Sequence, residues 1–254
     1  MITNDPKEIE ILRAGGKILA EVLALVAKQV KPGVSAQDLD DLTESEIRKR
    51  GGLPAFKNYA AEPGDPPFPA TLCVSVNDEV VHGIPRKNKI LKDGDIVGLD
   101  LGVQYQGLFT DSAITVPVGN ASEKHLRLIE AANKSLAAGL SQIAPGSYTG
   151  DVGFAIESEA KKYGFQVVRE LVGHGVGKAV HEEPEVPCFG EPKKGTKLVK
   201  GMVIAVEPMV NEGNWKVYFA NDNWTIKTKD KSWSAHAEHT VLITDVGCDI
   251  LTIV

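Results

Sequence analysis

Apolar residues near the start of the chain recur at the three- and four-residue spacing of an amphipathic helix. This apolar face consists of Ile9, Leu12, Leu19, Val22, Leu23, Val26 and Val30. The Asp-Pro pair at 5–6 is typical of a helix start and the Pro-Gly pair at 32–33 of a helix end. A second helix is predicted to begin after the N-cap residue Ser35 and to end at the two glycines at 51–52.

Beyond residue 70 the apolar runs shorten to three to five residues separated by turn residues, which indicates β-strands. The runs lie at 72–76, 96–99, 113–116, 165–168, 202–206, 225–227 and 240–243. Two further helices are predicted at about 122–143 and 149–164. The order helix, helix, strands therefore occurs twice.

The repeated order is accompanied by repeated letters. The segment GDIVGLD (94–100) parallels GMVIAVE (201–207), DSAITV (111–116) parallels EHTVLI (238–243), and the helix linkers at 31–35 and 144–147 share a Pro-Gly pair. Three matches in the same order favour an internal duplication. We expect one domain over residues 1–254, built from halves at about 5–118 and 119–254.

Composition restricts the class of protein. The 254 residues carry 28 Lys and Arg against 34 Asp and Glu, a formal net charge of −6, which disfavours a general nucleic-acid binder. Three cysteines form no CxxC pair, and no apolar stretch reaches membrane-spanning length. We expect a cytoplasmic protein without a leader peptide.

Two acids lie where a hairpin would bring them together. If residues 96–116 form a hairpin with a two-residue loop near 105–107, antiparallel pairing places Asp100 and Asp111 on one face, about 5 to 8 Å apart at Cβ. An acid at a strand end is usually a solvated residue. Asp100 and Glu207, however, both interrupt apolar runs and are therefore expected in a buried context.

Buried carboxylates this close need a neutralising partner. Two such charges repel by about 4 kcal/mol at an effective dielectric of 20, and burial adds a desolvation cost. Either one proton is shared, as in an acid dyad, or cations lie between the carboxylates. Four acids, two from each half, carry a charge of −4 that two divalent ions would balance, so a metal pair is the more economical explanation.

Histidines supply the candidate nitrogen ligand and proton-transfer groups. A lone histidine is more often structural, but His174 has glycines on both sides, which permit the backbone to approach a ligand closely. His82 and His181 are candidates for proton transfer or for stabilising an oxyanion. The sequence has no complete HExxH motif, phosphate-binding loop or Gly-x-Ser-x-Gly elbow.

Five motifs in order resemble type I methionine aminopeptidases over nearly the whole chain. They are NDEVVHGIP (77–85), GHGVG (173–177), HEEP (181–184), IAVEPMV (204–210) and TIKTKD (225–230). The resemblance implies an α+β pita-bread fold, in which two related halves pack helices against a curved antiparallel sheet. It also implies a metal-dependent hydrolase that removes the N-terminal methionine from nascent proteins with a small second residue.

The resemblance also assigns roles to particular residues. It implies two divalent ions, cobalt, manganese, iron or zinc, held by Asp100, Asp111, His174, Glu207 and Glu238. Asp111 and Glu238 would bridge the ions, and a bridging hydroxide would attack the first peptide bond. Glu207 would transfer the proton, His181 would donate to the carbonyl oxygen, and His82 would contact the substrate amide.

The resemblance further suggests that Tyr59, Cys73 and Trp224 bind the methionine side chain, although these residues also fit ordinary core packing. Phe56, and a connection at 60–70 that is longer than usual, depart from the family pattern at the pocket entrance. The expected partners are nascent N-termini at the ribosome, with no membrane or specific nucleic acid, and we expect a monomer. Prolidases, with an added N-terminal domain, and a non-catalytic pita-bread scaffold are the rival interpretations.

Overall fold

A computed structural model describes residues 1–60, 64 and 66–254. The helices are α1 (Pro6–Ala27), α2 (Ala36–Lys49), α3 (Glu123–Leu140) and α4 (Thr149–Lys162). The strands are β1 (Leu53–Pro54), β2 (Leu72–Val76), β3 (Glu79–Val81), β4 (Ile96–Tyr105), β5 (Leu108–Pro117), β6 (Gln166–Val167), β7 (Gly173–Gly175), β8 (Glu182–Val186), β9 (Val203–Val206), β10 (Met209–Asn211), β11 (Val217–Phe219), β12 (Ile226–Thr228), β13 (Ser234–His236), β14 (His239–Ile243) and β15 (Cys248–Ile250).

The predicted helix starts are confirmed by their caps. The side chain of Asp5 accepts the N–H of Lys7, and the hydroxyl of Ser35 accepts the N–H of Asp38. Helix α1 is shorter than predicted, since it ends at Ala27 rather than at the Pro-Gly pair. The N–H of Gln29 bonds the carbonyl of Val26 at 2.9 Å, so the chain tightens and leaves the helix before the proline.

Each helix pair packs against its own hydrophobic cluster. Helices α1 and α2 bury Leu19, Val22 and Leu39 against β2 and β4. Helices α3 and α4 bury Leu128 and Ile156 against strands that include β9 and β14. The two clusters follow the two halves of the sequence repeat.

The strands pair antiparallel throughout the described sheets. One sheet pairs β4 with β1, β2 and β5; a five-stranded sheet has the order β15-β14-β9-β7-β8; two three-stranded sheets have the orders β13-β10-β6 and β11-β12-β3. Among the described residues, no helix has the length and apolarity needed to cross a bilayer.

The hairpin β4–β5 is the longest ladder of the first half, and both strands extend beyond the short runs predicted. It turns through Gln106 and Gly107, whose φ values of 46° and 88° are those of a tight two-residue turn. The register places Asp100 opposite Ala113 and Gly102 opposite Asp111, so Asp100 and Asp111 are diagonal neighbours on one face. The predicted pairing is confirmed.

Candidate metal centre

Four acids, three of them buried and Glu207 half-buried, line one cavity. Asp100 lies in β4 and Asp111 in β5, Glu207 directly follows β9, and Glu238 directly precedes β14. Strands β9 and β14 are paired, with Val206 opposite His239, so Glu207 and Glu238 lie at the same end of that ladder. Each half thus contributes two acids to one place.

Hydroxyl groups hold the two halves together beside these acids. The Thr240 hydroxyl accepts the N–H of Asp111 at 2.9 Å and donates to the Asp111 carbonyl at 2.7 Å. The Ser112 hydroxyl donates to the Glu238 carbonyl at 2.6 Å, and the N–H of Glu238 bonds the carbonyl of Ala113 at 2.9 Å. These bonds fix Asp111 beside Glu238 although 126 residues separate Ser112 from Glu238 in sequence.

Among the described residues, no lysine or arginine compensates the charge of these acids. Asp100, Asp111 and Glu238 are 8%, 4% and 2% exposed. Oδ1 of Asp111 and Oε1 of Glu238 are buried without a hydrogen-bond partner among the described residues. Burial raises the pKa of Asp100 to about 6 and raises the pKa of both Asp111 and Glu238 well above their usual values.

Only imidazole rings are close enough to offset this charge within the described part of the chain. No lysine or arginine there forms an ion pair with any of the four acids, whereas His174 Nε2 lies 3.4 Å from Glu207 Oε1. Burial acts to raise the pKa of Glu207, but the neighbouring His236 and His174 rings outweigh it and lower the pKa.

His174 is oriented by its own backbone. Its Nδ1 lies 2.9 Å from the Gly175 carbonyl, so Nδ1–H donates there and the Nε2 lone pair is available as a ligand. The flanking glycines make room for neighbouring backbone, a role that the sequence interpretation did not include. A Cβ on Gly173 would lie 2.4 Å from the Ala205 carbonyl, and one on Gly175 would lie 2.2 Å from the Glu183 carbonyl.

His236 is a site residue that the sequence analysis did not name. It is 3% exposed. Its Nε2 lies 3.6 Å from Glu207 Oε2 and 3.9 Å from Glu238 Oε2. The available signal was its position two residues before Glu238 beside a strand, because alternate residues of an extended segment share a face.

The donor set fits a divalent cation. Ligand atoms of Asp111, His174 and Glu238 lie within 4.8 Å of one another, and Glu207 adjoins His174. Buried carboxylate oxygens with one imidazole nitrogen suit manganese, iron, cobalt or zinc. The unpaired oxygens of Asp111 and Glu238 are the atoms that a cation would satisfy.

His82 and His181 flank the acids on the open side. His82 has φ of 57°, a left-handed conformation that is uncommon outside glycine, and burial lowers its pKa to about 4. His181 lies at the cavity mouth, where the protein around its ring and the nearby His174 lower its pKa to about 4. Both rings are therefore neutral at pH 7.

The loop that carries His181 is held by backbone and side-chain contacts. Glu182 Oε1 accepts the N–H groups of Lys178 and Ala179 at 2.5 and 2.7 Å. The Tyr59 hydroxyl lies 2.6 Å from His181 Nδ1. When this hydroxyl donates, the ring proton of His181 is on Nε2, where it can be donated to a ligand.

An apolar cup completes a cavity of about 120 Å³. Its wall contains the predicted Tyr59, Cys73 and Trp224 together with Phe56 and Phe68. Phe68 meets Trp224 edge to face with centroids 5.3 Å apart. Burial raises the pKa of the Cys73 thiol well above its usual value, so the thiol stays neutral and the cup is apolar.

All ten residues singled out in the sequence line this one cavity: Tyr59, Cys73, His82, Asp100, Asp111, His174, His181, Glu207, Trp224 and Glu238. Phe68 was missed, although an aromatic residue five positions before Cys73 was a visible signal. Four of the eleven residues in the predicted longer connection at 60–70, residues 61–63 and 65, lie outside the described residues, so its length is not tested.

The chain matches the model of metallopeptidase family M24 over residues 10–245. It is 47% identical over 248 residues to a methionine aminopeptidase from Aquifex aeolicus, covering 97% of this chain and 96% of that protein. The crystal structure of a methionine aminopeptidase from Thermotoga maritima superposes with a TM-score of 0.95 at 44% identity, covering 100% of both chains.

A prolidase from Pyrococcus furiosus shares the fold, with a TM-score of 0.79 at 24% identity. This chain covers only 65% of that protein, whereas it covers all of the Thermotoga maritima chain. These comparisons confirm the predicted α+β pita-bread fold and the predicted resemblance to methionine aminopeptidases.

Proposed function

The chain belongs to metallopeptidase family M24, a family of hydrolases, and from this premise we propose that it removes the N-terminal methionine of nascent polypeptides in the cytoplasm. The observation that carries the proposal is a cluster of four carboxylates, three of them buried, without lysine or arginine partners in the described chain, beside a cup of apolar and aromatic side chains.

Two divalent ions are the proposed cofactors, held by Asp100, Asp111, His174, Glu207 and Glu238. When bound, the ions supply Lewis acidity that polarises the scissile carbonyl and acidifies water. Asp111 and Glu238 would each offer the ions a buried oxygen that has no other partner among the described residues.

Glu207 is the proposed proton carrier. Its lowered pKa keeps the carboxylate ionised at neutral pH, so it accepts a proton from the attacking water and passes it to the leaving amine. His236 Nε2 lies 3.6 Å from Glu207 Oε2, whereas His174 lies next to Oε1, and the His236 ring thereby restricts the orientation of the carboxylate.

His181 and His82 are proposed to hold the peptide. The Nε2–H of His181, fixed by the Tyr59 hydroxyl, donates to the carbonyl oxygen and to the oxyanion that develops from it. His82, buried and neutral, contacts the amide of the second residue. Asp100, a carboxylate of the cluster, accepts a hydrogen bond from the free α-amino group of the substrate, so only the first residue of a chain is removed.

The cup of Tyr59, Cys73 and Trp224, with Phe56 and Phe68, is proposed to take the methionine side chain. Its neutral thiol and aromatic faces form an apolar slot suited to a polarisable thioether.

The proposal is tested by methionine release from Met-Ala-Ser and Met-Lys-Ser by the manganese-loaded protein, with Glu207→Gln and His181→Ala as variants. We expect rapid cleavage of the first peptide only. Glu207→Gln should lower kcat by at least about 10²-fold, since it removes the proton carrier. Equal cleavage of both peptides, or of neither, would contradict the proposed specificity.

A further inference from the structure

A second cavity, of about 450 Å³, adjoins the first. Its wall is mostly apolar and includes Pro66, Leu171, Phe219, Trp224 and Ile226, with His82 at the border. His82 and Trp224 line both cavities, so the two cavities are neighbours that meet at these side chains.

Trp224 lies between the two cavities. Its ring packs against Phe68 on one side, and its Nε1–H donates to the Pro66 carbonyl at 3.0 Å. The His82 ring meets it edge to face, with centroids 6.1 Å apart. This boundary is therefore built from fixed aromatic rings.

The outer wall is a hairpin that displays aromatic residues to solvent. Strands β11 and β12 pair with Phe219 opposite Ile226, and β12 in turn pairs with β3. Phe219 is 67% exposed and Tyr218 is 42% exposed. Single exposed apolar residues are common, but Phe219 borders a cavity that shares His82 and Trp224 with the wall of the metal-site cavity.

Two ion pairs lie in the segments next to the lining residues. Arg86 lies 3.4 Å from Asp222, and Lys227 lies 3.0 Å from Asp78. The described lining itself contains no lysine, arginine or acid and is mostly apolar, and an occupant with apolar side chains matches it.

Resting on the proposed function, we propose that this groove binds the substrate polypeptide downstream of its second residue and favours apolar side chains from the third residue onward. An aminopeptidase takes one side chain into its cavity, so the rest of the chain must leave over the surface. The proposed contact of His82 with the second residue's amide directs that exit past His82 and Trp224, into the groove.

The test compares Met-Ala-Leu-Phe-Ser with Met-Ala-Ser-Ser-Ser in the manganese-loaded protein, with the dipeptide Met-Ala as a substrate too short to occupy the groove. Phe219→Ser removes the exposed wall. Phe154→Ser is the matched control, since Phe154 is 47% exposed on helix α4 and lines neither cavity.

We expect wild type and Phe154→Ser to prefer the apolar pentapeptide about fivefold in kcat/KM, as for loss of a contact at the rim of an interface. Phe219→Ser should lose this preference through KM, with kcat for the pentapeptides and turnover of the dipeptide unchanged. Equal kcat/KM for the two pentapeptides in wild type, or the same loss in both variants, would overturn the proposal.

A second measurement separates this proposal from the proposed function. The peptide Ala-Leu-Phe-Ser, titrated by tryptophan fluorescence into protein without metal, should bind wild type more tightly than Phe219→Ser and more tightly than Ala-Ser-Ser-Ser does. If no methionine is released from any peptide, the proposed function fails, and this binding difference alone decides whether the groove binds apolar peptide. Equal binding would overturn the groove.

Discussion

Replacing Asp100 by asparagine should stabilise the protein when it is free of metal. Burial raises the pKa of Asp100 from 3.8 to about 6, a difference of about 2 units. At 1.36 kcal/mol per unit this corresponds to about 3 kcal/mol of unfolding free energy. The carboxyl group is 8% exposed, so solvent screens little of this effect.

The sign follows from proton linkage. A raised pKa means that the folded protein binds the proton more tightly than the unfolded chain, so stability falls as pH rises from about 4 to 6 and stays low above that range. Asparagine does not ionise. In EDTA, Asp100→Asn should therefore match wild type near pH 4 and exceed its stability by up to about 3 kcal/mol at pH 7.5.

Manganese should narrow this difference in stability. Saturation at 100 times the dissociation constant adds about 2.7 kcal/mol to wild type, and less to a variant that lacks one ligand. Urea unfolding followed by tryptophan fluorescence, from pH 4 to 8, measures both states. If Asp100→Asn in EDTA at pH 7.5 is no more stable than wild type, then burial of the ionised Asp100 carboxylate does not destabilise the metal-free fold, and the reasoning is wrong.

Asp222→Asn is the control of opposite sign. Burial acts to raise the pKa of Asp222, but hydrogen bonds from Thr225 and Trp224 outweigh it and lower the pKa. This carboxylate stabilises the fold above pH 3.8, and that contribution is lost as pH falls through the lowered pKa. The variant should thus be less stable than wild type at pH 7.5, with or without metal.

Substitutions at three further positions distinguish residues that position catalytic groups from a residue that only packs in the core. His236→Ala should lower kcat for Met-Ala-Ser with little change in KM and should weaken manganese binding measured by calorimetry, because the ring restrains Glu207. His236→Gln should recover part of the kcat and part of the manganese affinity, and equal losses in the Ala and Gln variants would contradict the restraint. Tyr59→Phe removes the 2.6 Å contact to His181 and should lower kcat several-fold; an unchanged steady-state kcat would refute this orienting role. Leu128→Ala, at a fully buried position on α3, should cost about 2–5 kcal/mol in urea unfolding while leaving manganese affinity unchanged; a loss of affinity would show that packing and site are coupled.

Local periodicity was sufficient for the helices and for the first acid pair. The hairpin prediction depended only on strand parity, and the register of Asp100 and Asp111 confirms it. The length of α1 was overestimated, because apolar spacing continues to Val30 while the backbone leaves the helix at Ala27. Periodicity reports which face is buried and does not locate where hydrogen bonding stops.

Long-range packing explains what local patterns missed. Strand β7 has no alternating apolar residues, since its glycines make room for the neighbouring strands, so His174 could not be assigned to a strand. His236 meets Glu207 only because β13 pairs with β10, and no short window of sequence contains that pairing. The roles of Glu238 and of the pocket residues came from the family resemblance.

Methionine release by protein stripped of metal is the most direct test of the central claim, that the four acids hold divalent ions. In excess EDTA we expect no release from Met-Ala-Ser. Activity should return on manganese addition and reach its maximum at no more than two bound ions per chain, counted by calorimetry on the same sample. Full turnover in EDTA would contradict the account and would indicate carboxylates that share a proton.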